Sequence, residues 1–188
     1  MLALRRPFLL TLAVLAAGCG VTSGGGGGPS APSDPLAGQS QPAPGSCHSR
    51  GSGLSSLPDP RCTPGARDPS VTQANIGETI CRTGYTRTVR PPESVTAREK
   101  RASMAAYGDT GPTHRYEYDH LIALELGGAP NDPRNLWPEP GATPNPKDEL
   151  EGRLRREVCD GRLSLRAAQR AIARDWVAAY HRYVDSRR

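Results

Sequence analysis

Apolar residues recur with a helical period toward the C-terminus. Leu150, Leu154 and Val158 fall four apart and give one stripe to a helix that starts near Pro146 and stops at Gly161. A second stripe, Leu165, Ala168, Ile172, Trp176, Ala179 and Tyr183, predicts one last helix with Ser164 as its N-cap. Upstream the pattern changes. Residues 115–126 are rich in aromatic and branched side chains and end at Gly127-Gly128, which predicts an extended segment turning at the glycines. Residues 135–138 predict a short return strand cut off by Pro138. Thr96 and Glu99 form a capping-box pattern, so a helix is expected from Thr96 to about Tyr107, with Gly108 as its stop. Residues 86–89 read as a short strand before Pro91-Pro92, and residues 71–81 have room for one helical turn or more. The chemistry-bearing half therefore reads strand, loop, strand, helix, helix.

Composition changes the picture at the other end of the chain. Of the 188 residues, 21 are glycine and 19 proline, too many for one packed domain from end to end. Residues 8–17 are an apolar run behind Arg5-Arg6, too short to span a membrane but fitting a secretory signal. The run ends in Leu15-Ala16-Ala17-Gly18-Cys19, which resembles a bacterial lipobox, with the Cys19 thiol carrying the diacylglycerol. Of the 27 residues at 20–46, 18 are Gly, Pro or Ser, including five glycines at 24–28. Such a stretch buries too little apolar surface to offset its ordering entropy and reads as a tether. The expected organisation is a signal peptide at 1–18, a lipidated tether at 19–46 and a domain at 47–188.

Four cysteines remain once Cys19 is set aside, and in an exported chain an even number reads as two disulfides with three possible connectivities. Our working choice is Cys47–Cys62 and Cys81–Cys159, one local and one tying the middle of the chain to a helix. None of the four is spaced as a zinc knuckle. Net charge is +5, and residues 150–188 carry ten arginines against five acidic residues. That tail suits a phosphate backbone, although a solvated helix face has the same composition.

The informative residues are Tyr118-Asp119-His120-Leu121-Ile122, then Leu126-Gly127-Gly128, Asn135-Leu136-Trp137-Pro138 and Asn145-Pro146-Lys147. In that order they resemble the HNH, or ββα-metal (His-Me finger), nuclease superfamily over residues 116–160. More loosely, the chain from Pro58 onward is similar to small exported bacterial proteins described as HNH-endonuclease-like. The resemblance implies an α+β fold. In it a small ββα-metal finger, strand–loop–strand–helix, sits among additional helices and irregular disulfide-tied segments.

It also implies roles. His120 is the general base, and an imidazole with an ordinary pKa near 6.5 can accept a water proton at neutral pH. Asn135 holds the loop and orients the histidine. Asp119 and Asn145 are the ligands of one divalent cation, Mg²⁺ or alternatively Mn²⁺. Lys147, Arg153, Arg155 and Arg156 are candidate phosphate contacts. Neighbours on a strand point to opposite faces, so Asp119 and His120 need a bulge or a strand end to serve one site. Each role has a plainer counterpart. Asn145 before Pro146 is a good N-cap, and capping uses the same side-chain oxygen that ligation needs. Lys147 and the arginines fit a solvated helix, and Trp137 and Trp176 fit a core.

The expectation is a monomeric envelope lipoprotein, anchored through Cys19, that hydrolyses DNA or RNA phosphodiesters with little sequence preference. The alternative is a non-catalytic lipoprotein using a degenerate HNH fold to bind nucleic acid or an envelope component. An exported toxin would in addition require an immunity protein.

Overall fold

The structure is a computed structural model that describes residues 40–141 and 143–187, all within the unit Asp34–Arg188. The expected signal peptide, Cys19 and the expected tether up to residue 39 lie outside the described residues. In chain order the elements are α1 (Tyr85–Val89), α2 (Glu93–Tyr107), β1 (Tyr116–His120), β2 (Leu136–Pro140), α3 (Pro146–Cys159), α4 (Leu165–Arg174) and α5 (Trp176–Tyr183). The fold is α+β. A two-stranded antiparallel sheet is surrounded by helices and 3-10 turns.

Residues 86–89 form the end of α1 and not a strand. Gly84, at φ 81°, turns the chain into the helix, Tyr85 buries its ring, and Pro91 prevents extension. The α2 helix starts four residues earlier than the capping-box pattern, with Thr96 as N-cap, indicates. Extended Pro92 presents its carbonyl to the amides of Val95 and Thr96, so Glu93 is the first helical residue. Gly108, at φ 71°, stops α2 as expected. The single C-terminal helix is two: Asp175, at φ −167°, breaks the run, and its Oδ1 caps α5 by accepting from Ala178 N at 2.9 Å. The apolar stripe continues across the break, which is why periodicity alone does not reveal it.

The second strand runs through Pro138 to Pro140. Its register, Tyr116↔Pro140 through His120↔Leu136, is unbroken. The amides of Leu121 and Gly141 bond the carbonyls of Asn135 and Arg115, so odd-numbered pairs carry the ladder. Both prolines occupy the other positions, and the sheet has no third strand, so neither removes a needed donor.

The core gathers Leu121, Ile122 and Leu126 from the β1–β2 connection, Leu150, Leu154 and Val158 from α3, and Ile172 and Trp176 from α4 and α5. Both disulfides pair as chosen, Cys47–Cys62 and Cys81–Cys159, with Cα separations of 6.0 and 5.7 Å. Closing those loops stabilises the fold by roughly 3 and 4.5 kcal/mol on the chain-entropy argument. Two disulfides place the domain in an oxidising, non-cytoplasmic compartment. Among the described residues no helix is long and apolar enough to cross a membrane.

The packed region begins before Cys47. Gly45 N donates to Ala105 O at 2.9 Å and Gln41 Nε2 to the Tyr118 hydroxyl at 3.0 Å, so the described end of the expected tether lies against α2 and β1.

Candidate functional site

Asn135 organises the connection between the strands. It is fully buried; its Oδ1 accepts from Ile122 N at 2.9 Å, and its Nδ2 donates to Ile122 O at 3.0 Å and Ala129 O at 3.1 Å. The loop closes tightly around this amide. A Cβ on Gly128 would stand 1.7 Å from Ile122 O and 2.7 Å from Asn135 Nδ2, so only glycine fits. Asn135 thus braces the loop, and its bonds go to the Ile122 and Ala129 backbone and not to the His120 side chain.

That loop presents a carbonyl to His120, the last residue of β1. Pro130 O lies 2.9 Å from His120 Nε2, and since a carbonyl only accepts, Nε2 carries the proton. The lone pair is then on Nδ1, which has no hydrogen-bond partner among the described residues. Burial pushes the imidazole down to about 4, aided by the charges of Arg90 and Lys147 and opposed by Pro130 O and Asp119. His120 is therefore neutral at pH 7, with Nε2 bonded and Nδ1 carrying the lone pair.

Asp119 faces the other way. No bulge interrupts the register, so its side chain leaves the opposite face of the strand and meets α3. Lys147 Nζ is 2.7 Å from Asp119 Oδ2, donates to His120 O at 2.9 Å, and also bonds Glu151 Oε1 one helical turn on. Trp137 Nε1 donates to the same Asp119 oxygen at 3.4 Å. Glu139, two residues along β2 from Trp137, shares a hydrogen bond with Asp119, while its Oε2 is buried without a partner.

The electrostatics follow from this crowding. Burial opposes ionisation of Asp119, but the Lys147 ammonium outweighs it and holds the carboxyl below its usual range. Burial and the neighbouring Asp119 push Glu139 up to about 10. Burial likewise pushes Glu151 to about 8 against the pull of Lys147. Burial disfavours the Lys147 charge, yet the surrounding carboxylates raise its pKa above the usual lysine range.

These residues do not fit a divalent cation shared by Asp119 and Asn145. Asn145 Oδ1 accepts from Lys147 N at 2.8 Å and Asp148 N at 3.3 Å, and Asn145 N in turn donates to Asp148 Oδ2 at 2.7 Å. It is the N-cap of α3, and the cap uses the oxygen that ligation requires. Asp119 Oδ2 is committed to Lys147 and Trp137, and the one unpartnered oxygen of Glu139 stands in a cluster already neutralised by an ammonium. Among the described residues no three His, Cys, Asp or Glu side chains are arranged to hold one ion.

The phosphate candidates separate as well. Lys147 is 1% exposed and saturated, so it reaches no phosphate. Arg153 pairs with Glu157 at 3.0 Å, and Arg155 Nε donates to Ile80 O at 2.7 Å, fastening the Cys81 segment to α3. Arg156 is exposed. Glu139 and Glu151 carried no role in the sequence reading. Their signal was position: Glu139 shares a strand face with Trp137, and Glu151 lies four residues after Lys147.

An open cleft of ≈ 590 Å³ lies beside β1, walled by Lys100 and Arg101 of α2, by His114, and by Tyr116, Glu117 and Tyr118. None of Asp119, His120, Asn135 or Asn145 lines it. No protein-family profile, curated protein or solved structure matches this chain, so its function rests on the geometry above.

Proposed function

We propose that the domain is an HNH-type phosphodiesterase that cleaves nucleic acid outside the cytoplasm, held at the cell envelope by a lipid on Cys19. The observation that carries this reading is the His120 imidazole, whose Nε2–H is fixed on Pro130 O while Nδ1 stays neutral and unpartnered. The strand–loop–strand–helix order and the Asn135 clamp support the HNH assignment. In the reaction, Nδ1 takes a proton from the attacking hydroxyl, whose oxygen bonds to phosphorus as the P–O bond to the leaving oxygen breaks and that oxygen takes a proton from solvent. Lys100 and Arg101, which wall the cleft beside β1 together with Glu93 and Glu117, support this reading as candidate contacts for a charged backbone. The residues expected to hold a metal do not fit one, and no step is assigned to it.

The occupied Asn145 cap and the Asp119–Lys147 pair favour a second reading, a non-catalytic protein that binds nucleic acid or an envelope component through the same fold. Purified full-length chain with both disulfides formed decides between them. Cleavage of plasmid DNA or RNA that is lost in His120→Ala supports the nuclease. Binding without cleavage, unchanged in His120→Ala, supports the second reading.

A further inference from the structure

The Lys147 ammonium has three N–H donors and three acceptors: a carboxylate oxygen of Asp119 on β1, the His120 carbonyl at the end of that strand, and a carboxyl oxygen of Glu151 on its own helix. Two carboxyl-group oxygens and a backbone carbonyl make a donor set that a hard cation takes. The lysine reaches it because the Asn145 cap and Pro146 start α3 immediately before it, and Leu150 and Leu154 of α3 share one buried core with Leu121 and Ile122, which follow the strand end.

We propose that Lys147 is the resident cation of this site: its ammonium stands where the HNH resemblance puts a divalent metal, and the protein binds no Mg²⁺ or Mn²⁺ there. The inference deepens the nuclease reading by removing the metal from it, and it is measured by binding and melting, so either can fail without the other. The ammonium neutralises Asp119 and ties strand to helix, and with every N–H used it contacts no substrate. Lys147 is thus a positioning residue for the strand end that carries His120.

The test is thermal melting and Mn²⁺ binding, read by the electron paramagnetic signal of free Mn²⁺, on the full chain and on Lys147→Ala. The wild-type melting temperature is expected to be the same in EDTA and in millimolar Mg²⁺ or Mn²⁺, with no stoichiometric Mn²⁺ bound. Lys147→Ala leaves Asp119, Glu139 and Glu151 around a cation-sized gap; it melts several degrees lower, and Mn²⁺ restores part of the loss. Stoichiometric Mn²⁺ binding by the wild type that disappears in Asp119→Asn overturns the inference. A folded Lys147→Ala protein that Mn²⁺ leaves unmoved overturns it equally. If Lys147→Ala does not fold, the wild-type titration and Asp119→Asn decide alone.

Discussion

Asp119 and Lys147 meet at 2.7 Å between the end of β1 and the first turn of α3, with the lysine side chain 1% exposed. An ion pair this deep resists the loss of either partner, because the remaining charge is left buried. Asp119→Leu and Lys147→Met should each lower unfolding free energy by roughly 3–5 kcal/mol. The double variant should cost much less than the sum, since it leaves neither charge behind. Denaturant unfolding of the four proteins gives the coupling directly, and additive losses would show that the pair does not act as a unit.

His120 predicts a loss of stability in acid. Its folded pKa, about 4, lies below the ordinary 6.5, so the unfolded chain binds the extra proton between those values. Stability from this group is intact above 6.5 and falls as pH drops toward 4, by roughly 3 kcal/mol over the window. Comparing wild type with His120→Gln at pH 7 and pH 4.5 isolates it, because the variant has no imidazole to titrate. Equal acid losses in both proteins would mean that the ring is more solvated than its surroundings indicate.

Glu139 predicts the opposite slope. Its folded pKa, raised to about 10 from 4.5, means the folded state keeps a proton that the unfolded chain has already lost. Stability therefore declines as pH rises above 4.5 and levels off near 10, with Glu151 adding to the decline up to about 8. Glu139→Gln reproduces the protonated shape without titrating. It should be nearly neutral at pH 5 and more stable than wild type at pH 9, as read by melting temperature.

The Asn135 side chain satisfies three buried backbone groups of one loop, and Asn135→Leu strands all of them. An expected cost of about 3 kcal/mol or more follows, with faster amide exchange at Ile122. Asn135→Asp should be no better, because it sets an oxygen against the Ile122 and Ala129 carbonyls. A loss within a few tenths of a kcal/mol would refute the bracing role.

How far the sequence exposes this site depends on whether a feature is local. The β1–loop–β2–α3 order and the Ser164 cap are written in neighbouring residues, whereas Asn145 offers ligand and cap alike until its two backbone donors are seen. The cysteine pairing chosen is the one observed, although spacing left three connectivities open. The α4–α5 break at Asp175 was hidden because the apolar stripe runs through it. The second strand was cut short because the tolerance for Pro138 depends on which residues pair across the sheet. Lys147 was the hardest residue to read. Helical spacing puts it beside Glu151, but only the packing of α3 on the strand end brings it to Asp119 and takes it out of solvent.

Under the nuclease reading proposed above, a neutral imidazole base without a fitting metal favours a phosphodiester that carries its own nucleophile. In RNA the 2′-hydroxyl stands next to phosphorus, and an intramolecular attack of this kind gains a large effective concentration over water. His120 Nδ1 would take the 2′-hydroxyl proton, the 2′-oxygen would bond to phosphorus, and the 5′-oxygen would leave with a proton from solvent. Cleavage in EDTA should therefore act on RNA and leave intact a DNA of the same sequence. Its products should end in a 2′,3′-cyclic phosphate and a 5′-hydroxyl, and Lys100→Ala/Arg101→Ala should weaken substrate affinity without changing that chemistry. The sequencing-gel mobility of end-labelled fragments distinguishes the cyclic end. Cleavage that needs Mg²⁺, treats DNA and RNA alike and leaves a 5′-phosphate would restore the metal to the mechanism and remove Lys147 from its place.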